Sequence, residues 1–241
     1  MLSEESSLAG MPSPDVSLMI MAKNEEENMP SVLEEISAVM RGPLQFSYEL
    51  FLVDGYSEDN TVGIAEQFGI KAVKVMGGKG AGIREGLAMA RGKYALFIDA
   101  DKSHVAADIL NLLKAIQEQN CDMVIASRIL GGSEELGGHH WDDLLRLSGN
   151  RLGTLIVNWR WGSKLTDVQN GFRIIRRDTA LELGLEEDTF AIEQEMVMKC
   201  LKRKKKIAEI PSFERKRLYG KSKIRKRKEF WRYLRCFLKH L

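Results

Sequence analysis

Apolar and polar positions alternate along the first half of the chain in two rhythms. Short apolar runs, Val16–Met21, Tyr48–Val53, Lys71–Val75, Tyr94–Ile98 and Met123–Ala126, have the length of buried strands. Between them lie stretches with helical spacing. Asn28 can cap a helix with Pro30 just inside it, running to about Arg41. Thr61–Phe68 is a second helix stopped by Gly69, Ala81–Arg91 a third closed by Gly92, and Ala106–Gln119 a fourth. Strand–helix alternation of this kind predicts an α/β domain, a mostly parallel sheet with helices on both faces. The second half is less regular. Leu144–Trp159 and Ala191–Lys204 are expected to be helical, TDVQNGFRIIRR to turn into a strand, Ile207–Phe213 to form another strand, and Arg225–Leu241 a final helix.

In such sheets, ligands bind in the crevice outside the carboxyl ends of the strands. The segments expected there are AKNEEEN, DGYSEDN, GGKGAG, DADKSH and SRILGG, all polar and several glycine-bearing. Two familiar phosphate loops are excluded. Lys79 is followed by Gly80 instead of Ser or Thr, and Val73 stands where a P-loop needs its first glycine. Ile83 and Glu85 break the dinucleotide-binding glycine pattern. GGKGAG is therefore expected to be a flexible loop with one cation at a helix N-terminus.

Asp99 and Asp101 close the fourth apolar run, one residue apart, where two carboxylates should repel. A hard divalent cation resolves that repulsion. Mg²⁺ or Mn²⁺ prefers oxygen ligands and often takes only one or two carboxylates, leaving positions for substrate phosphates. Asp99 and Asp101 are thus the candidate metal ligands.

Composition is that of an ordinary globular protein, 44% hydrophobic and 29% charged. The polar, acidic start is not a signal peptide, and no apolar run is long enough to suggest a transmembrane helix. Cys121, Cys200 and Cys236 are far apart, which fits a reducing cytoplasm and argues against a disulfide framework or a zinc site. Charge changes the picture more. The net value of +2 hides 18 Lys and Arg against 3 Glu from Lys199 to Leu241, while the rest holds 18 basic against 31 acidic residues. The basic tail expects an anionic partner. It carries no nucleic-acid motif and the body is acidic, so nucleic acid is not the expected partner.

The ordered set IMAKNEEEN, LVDGYSEDNT, GGKGAGIREGLAMARG, FIDADKSH, ASR, DVQNGFR, FAIEQEM and RLYGKSK resembles glycosyltransferase family 2, over about Val16 to Lys223. Within it, NGFR, FAIEQE and RLYGKSK are most similar to the polyprenyl-phosphate (dolichol-phosphate) hexosyltransferases. The resemblance implies a Rossmann-like GT-A domain over 15–223, a flexible lead at 1–14 and a basic amphipathic helix at 224–241. It implies inverting transfer of a hexose from a nucleotide diphosphate sugar to a polyprenyl phosphate, with Mg²⁺ or Mn²⁺, at the cytoplasmic face of a membrane.

Residue by residue, Asn24 and Glu25 match the first nucleotide loop, Asp54 the acid meeting base or ribose, and Lys79 a nucleotide-side lysine. Asp99 and Asp101 match the metal-binding DxD. Arg128, Arg173, Arg217, Ser222 and Lys223 match residues around the donor and acceptor phosphates. Two departures stand out: Gly55 where many relatives carry a second Asp, and Lys102-Ser103 in place of an apolar-Gln pair. A hydroxyl acceptor would instead require a carboxylate base, for which Asp167, Glu193 and Glu195 are candidates.

His104 has equal claims to an acceptor contact and to no role. Trp141, Trp159 and Trp161 are expected to pack as one side of an amphipathic helix, and Arg176 and Arg177 to form a solvated edge. In the tail, Phe230, Trp231, Tyr233, Leu234, Phe237, Leu238 and Leu241 share one helical face with Lys228, Arg232, Arg235 and Lys239 off it. That pattern fits a helix lying in an anionic membrane surface, and equally one packed on the body.

Overall fold

Strand β1 (Val16–Ala22) is buried along its whole length, and its side chains alternate between two cores. In the computed structural model Val16, Leu18 and Ile20 face one side of the sheet, and Met19 and Met21 the other. The structure describes residues 13–42, 46–134, 141–220 and 226–241. Most of the lead expected at 1–14 lies outside them.

The first half alternates as expected: β1, α1 (Met29–Met40), β2 (Tyr48–Asp54), α2 (Thr61–Gln67), β3 (Lys71–Lys74), α3 (Lys79–Met89), β4 (Tyr94–Asp99), α4 (Asp108–Glu118) and β5 (Met123–Ser127). The second half continues with α5 (Arg128–Gly131), α6 (Trp141–Trp161), β6 (Arg173–Arg176), α7 (Arg177–Glu182), α8 (Ile192–Lys202), β7 (Ile207–Pro211) and α9 (Lys226–His240). The seven strands lie in the order β3-β2-β1-β4-β6-β5-β7. Pairing is parallel except that β6 runs antiparallel to both β4 and β5.

One face packs α1 and α4 through Leu33, Ile36, Ile109 and Leu112. The other packs α3 and α8 through Ile83, Leu87, Ile192 and Met196. Each such buried side chain contributes on the order of 1.5–3 kcal/mol of hydrophobic stabilisation. Helix α8 is buried on all sides from Ile192 to Cys200, although it carries Glu193, Gln194, Glu195 and Lys199. Charge in such a helix must be paired.

The GGKGAG stretch is not an open loop. Lys79 is already helical, Gly80 N–H donates to the Asp188 carbonyl, and a Cβ on Gly80 would stand 2.1 Å from the Glu187 carbonyl oxygen. Backbone packing on the 187–188 turn, not anion binding, requires that glycine.

The sequence of strands reverses direction between β1 and β4. The carboxyl ends of β1, β2 and β4 therefore open onto one crevice, with the loop after β7 crossing it.

Candidate active site

Three cations organise the crevice, and each bridges two carboxylates. Lys79, the first residue of α3, places Nζ 2.7 Å from Asp99 and 2.9 Å from Glu193. Arg217, in the loop after β7, donates to Asp101 Oδ2 at 2.7 Å and to Glu25 Oε1 at 3.0 Å. Arg128, following β5, grips both oxygens of Asp167 at 2.7 and 2.9 Å and reaches Glu214 at 3.2 Å. The DxD carboxylates thus do not share one neighbour: Asp99 belongs to Lys79 and Asp101 to Arg217.

Local structure explains each placement. Asp99 ends β4, and Ala100 N–H donates to the Met21 carbonyl, which holds the turn against β1. Lys102 has φ of 67°, which bends the chain so that Ser103 N–H and Oγ both donate to Asp101 Oδ1, at 3.1 and 2.6 Å. Ser103 therefore fixes Asp101 instead of serving as a substitute ligand. The Arg217 loop is fastened by Asn28, whose side chain donates to the Tyr219 carbonyl and accepts from Tyr219 N–H. Asn24, Glu25, Asn28, Asp59, Arg217 and Gly220 line a cavity of about 150 Å³ there.

A family model described as "Glycosyl transferase family 2" matches residues 17–184. The chain belongs to glycosyltransferase family 2. It is 30% identical over 209 residues to glycosyltransferase AglJ of Haloferax volcanii, covering 84% of this chain and 64% of that protein. It is 28% identical over 212 residues to the dolichyl-phosphate beta-glucosyltransferase of Drosophila melanogaster, covering 79% of this chain and 64% of that one. The chain thus spans less than two thirds of the length of these two relatives. Among solved structures it is similar to glucosyl-3-phosphoglycerate synthase of Mycobacterium tuberculosis in complex with Mn²⁺, UDP and glucosyl-3-phosphoglycerate. The TM-score is 0.72 at 20% identity, over 98% of this chain and 82% of that one. The expected GT-A fold is the fold of this family 2 transferase.

Electrostatics separates the three sets. Burial opposes ionisation of Asp99, yet Lys79 and His104 override it and hold the carboxyl well below the usual range. Burial likewise works against the Lys79 ammonium, but Asp99 and Glu193 outweigh it and raise its pKa. Asp167 is buried too, and Arg128 draws it down to about 2. Arg217 is raised above the ordinary arginine value by Asp101 and Glu25, against the cost of burial.

Several of the expected site residues have protein partners in the structure. Asp54 is fully buried and accepts from Ser57 N–H at 3.0 Å and from Ser57 Oγ, which shapes the 55–60 loop. Arg173 is also buried. Its guanidinium donates to the carbonyls of Asn170, Glu193 and Val168, so it holds the NGF turn. Arg128 is engaged by Asp167 and Glu214 instead of facing an open phosphate site. Asn24 is exposed at φ 48° and its Oδ1 caps Glu58 N–H. Ser222 and Lys223 lie outside the described residues. Arg176 is no solvated edge: it donates to the Cys121 carbonyl and to Asn120.

Other residues take places in the site that the motifs did not assign. Glu193 closes the Lys79 set, and Glu214 the Arg128 set. Gly171 leaves the room that the Lys79 set fills, since a Cβ there would sit 2.6 Å from Lys79 Nζ. His104 is buried, with Nε2 3.7 Å from Asp99 and its ring 4.9 Å from that of Phe172. Glu193 lies on a helix buried on all sides, where an acid must find a partner.

Proposed function

We propose that this transferase moves a hexose, with inversion, from a nucleotide diphosphate sugar to a polyprenyl phosphate. The observation that carries the reading is the state of the carboxylates. A hydroxyl acceptor needs a general base. Asp167, Glu193 and Glu195 are the eligible acids, and each lies against a cation: Arg128 at 2.7 Å, Lys79 at 2.9 Å and Lys199 at 2.7 Å. A phosphate acceptor arrives as an anion and needs no base. The name of the Drosophila relative, a dolichyl-phosphate glucosyltransferase, supports the same acceptor class.

The residues fit a divalent metal. Around the DxD, the four carboxylates of Glu25, Asp99, Asp101 and Glu193 gather about Lys79 and Arg217. Hard oxygen ligands gathered at a strand end suit a divalent ion. Asp101, with Asp99 behind it, would hold Mg²⁺ or Mn²⁺, the ions found with UDP in the structural neighbours. The bound ion supplies charge stabilisation to the departing nucleotide diphosphate. Asn24 and Glu25 border the donor cavity, and Lys79 fixes Asp99. Arg217 leads into Ser222 and Lys223, which we assign to the phosphates of donor and acceptor; together they hold two anionic reactants that otherwise repel. No described helix is long and apolar enough to cross a membrane. A lipid acceptor makes an anionic membrane surface, at its cytoplasmic face, the partner of this chain.

A second reading rests on one atom. Glu193 Oε2 is buried without a hydrogen-bond partner, the position a base would hold for a hydroxyl acceptor, and the structural neighbours include complexes with phosphoglyceric acid. The test is a screen of nucleotide sugars with polyprenyl phosphate and with hydroxyl acceptors, read by mass spectrometry, for the parent and Glu193→Gln. Glycosylated polyprenyl phosphate from both proteins is expected. A hydroxyl-linked product that Glu193→Gln abolishes would establish the second reading.

A further inference from the structure

The expected single stripe on the tail helix divides in the structure. Cys236, Phe237 and His240 of α9 are buried against the body, whereas Trp231 is 66% and Leu238 74% exposed. Helix α6 contributes Gly153, where a Cβ would meet the Phe237 ring at 3.2 Å; Trp159 of the same helix, expected to pack, is 82% exposed. Helix α8 supports α9 from below. Gln194 Nε2 donates to the Tyr233 carbonyl at 3.2 Å, and Cys236 Sγ to the Ala191 carbonyl at 3.7 Å.

Cys236 and His240 are four residues apart, so they share one face of α9 a single turn from each other. One ligand atom each of Glu187, Cys236 and His240 lies within 4.8 Å of the others. Thiolate, imidazole and carboxylate are the ligand types that Zn²⁺ takes. The imidazole adds an independent observation. His240 is 7% exposed, and its Nε2 is buried with no hydrogen-bond partner among the described residues. Glu195 Oε1 lies 3.6 Å away, and it already accepts from Lys199 at 2.7 Å and from Glu186 N–H at 3.0 Å. A buried nitrogen left without a partner is unfavourable, and an ion can complete its bonding.

We infer that Glu187, Cys236 and His240 form a zinc site that ties α9 to the segment leading into α8, separate from the metal position at the DxD. A tetrahedral Zn²⁺ holds its ligands at about 2.0–2.3 Å, which puts ligand atoms roughly 3.3–3.8 Å apart. Glu187 is half-buried in a segment outside any helix or strand, so its side chain can rotate to close that distance. Thiolate and carboxylate together balance the charge of the ion. The ammoniums nearby are already matched, Lys199 by Glu195 and Glu186, and Lys239 by Glu186 at 2.7 Å. Burial pushes the Cys236 thiol up to about 12, so the ion must displace that proton as it binds. Three protein ligands leave a fourth position for water. His240 also lines a cavity of about 430 Å³ with Leu183, Gly184 and Glu186, through which an ion can enter. The Glu187 carbonyl accepts from Arg84 at 2.6 Å and the Asp188 carbonyl from Gly80 N–H at 2.9 Å, both on α3. Zinc on Glu187 therefore stiffens the support of the helix that begins with Lys79, whichever acceptor the transferase uses.

The experiment uses the full chain, stripped of metal by chelator and kept in excess Mg²⁺, which fills hard oxygen sites and not thiolate ones. Co²⁺, a spectroscopic substitute for Zn²⁺, is expected to bind with the near-ultraviolet charge-transfer absorption of a cobalt–thiolate bond, and Zn²⁺ to displace it. Cys236→Ser should abolish that absorption, whereas Cys121→Ala and Cys200→Ala should keep it. His240→Gln is expected to weaken Zn²⁺ binding ~100-fold or more and Glu187→Gln ~10-fold or more, the range that even outer-shell partners of a metal reach. Both are read by competition with a chromogenic chelator. Zn²⁺ should raise the thermal midpoint of the parent in the same buffer and leave that of His240→Gln unmoved. A parent without the thiolate absorption, or absorption that survives Cys236→Ser, overturns the inference. So does Zn²⁺ binding that Asp101→Ala removes and His240→Gln does not, which would put the ion at the DxD. Should Cys236→Ser fail to fold, the chelator competition with His240→Gln and Glu187→Gln decides: parent-like affinity in both overturns the site, and the expected losses support it.

Discussion

Asp99 and Asp101 are neighbours in sequence and opposites in setting. Each stands in a carboxylate–cation–carboxylate set. The Asp99 set is built on regular elements: the end of β4, the first turn of α3 and the buried helix α8. Its lysine is almost wholly enclosed, and Phe190 lies 5.5 Å beneath the ammonium. The Asp101 set is built on turns and on the loop after β7; Asp101 is no more exposed than Asp99, 18% against 27%, so the two sets differ in what carries their cation, a loop arginine against a lysine in the first turn of a helix. Enclosed charge is costly to disturb, because a lone buried ion has nothing to replace its partner. Charge at a crevice mouth can exchange one cation for another. The difference teaches that one acid of the pair is a fixed strut and the other the exchangeable position.

Asp101→Ala breaks the comparison at its active end. Transfer is expected to fall ~1,000-fold or more, with little change in denaturant midpoint, since metal and diphosphate charge lose their anchor. Near-normal turnover, or activity indifferent to chelator, would refute the exchangeable role. Lys79→Met attacks the strut. Asp99 and Glu193 would face each other without a counter-charge, and urea unfolding should show a loss of about 3–5 kcal/mol. A loss below about 1 kcal/mol would mean that water reaches the set.

Arg217→Ala sharpens the contrast. Turnover should drop ~10–100-fold as a charge-assisted contact is lost. Metal binding, measured by calorimetry, should tighten because Asp101 loses its resident cation. Weaker metal binding in that variant would contradict the exchange. The Arg128 set gives the smallest effect and a pH signature. Asp167 titrates near 2 when folded against an ordinary 3.8, so its contribution is complete above about pH 4. It is lost as pH falls from there toward 2, about 2 kcal/mol in all. Asp167→Asn should flatten that part of the acid-unfolding curve; an unchanged curve would remove Asp167 from the account.

The elements of the first half were legible because each apolar run is bounded by Gly, Asn or Asp and its loops are short. β6 was legible as a strand but not as an antiparallel insertion between β4 and β5, since pairing partners leave no trace in local periodicity. In the site, acids and cations could both be read, but not which acid each cation pairs with. Lys79 to Glu193 spans 114 positions, and nothing at either end signals the other. Arg173 looked like a ligand-binding arginine because motif position does not report burial. The tail's apolar residues read as one face, although Phe237 packs inward while Trp231 and Leu238 point out. Cysteine spacing argued against a zinc site, yet the fold brings one ligand atom each of Glu187, Cys236 and His240 within 4.8 Å of one another.

The place of β6 in the sheet bears on how the chain matures during synthesis. β5 pairs only with β6 and β7, and β4 has β1 on one side and β6 on the other. A nascent chain that has emerged through β5 can form the β3-β2-β1-β4 half-sheet, but β4 then presents a bare, wholly apolar edge and β5 has nothing to join. Such edges invite pairing with other chains. The seam closes only when residues 173–176 arrive, and they bring with them Gly171, over which Lys79 and Asp99 sit. Glu193 follows some twenty residues later. The Asp99 set is thus completed only after the seam has closed, and a ribosome pausing between β5 and β6 holds the molecule at an aggregation-prone stage.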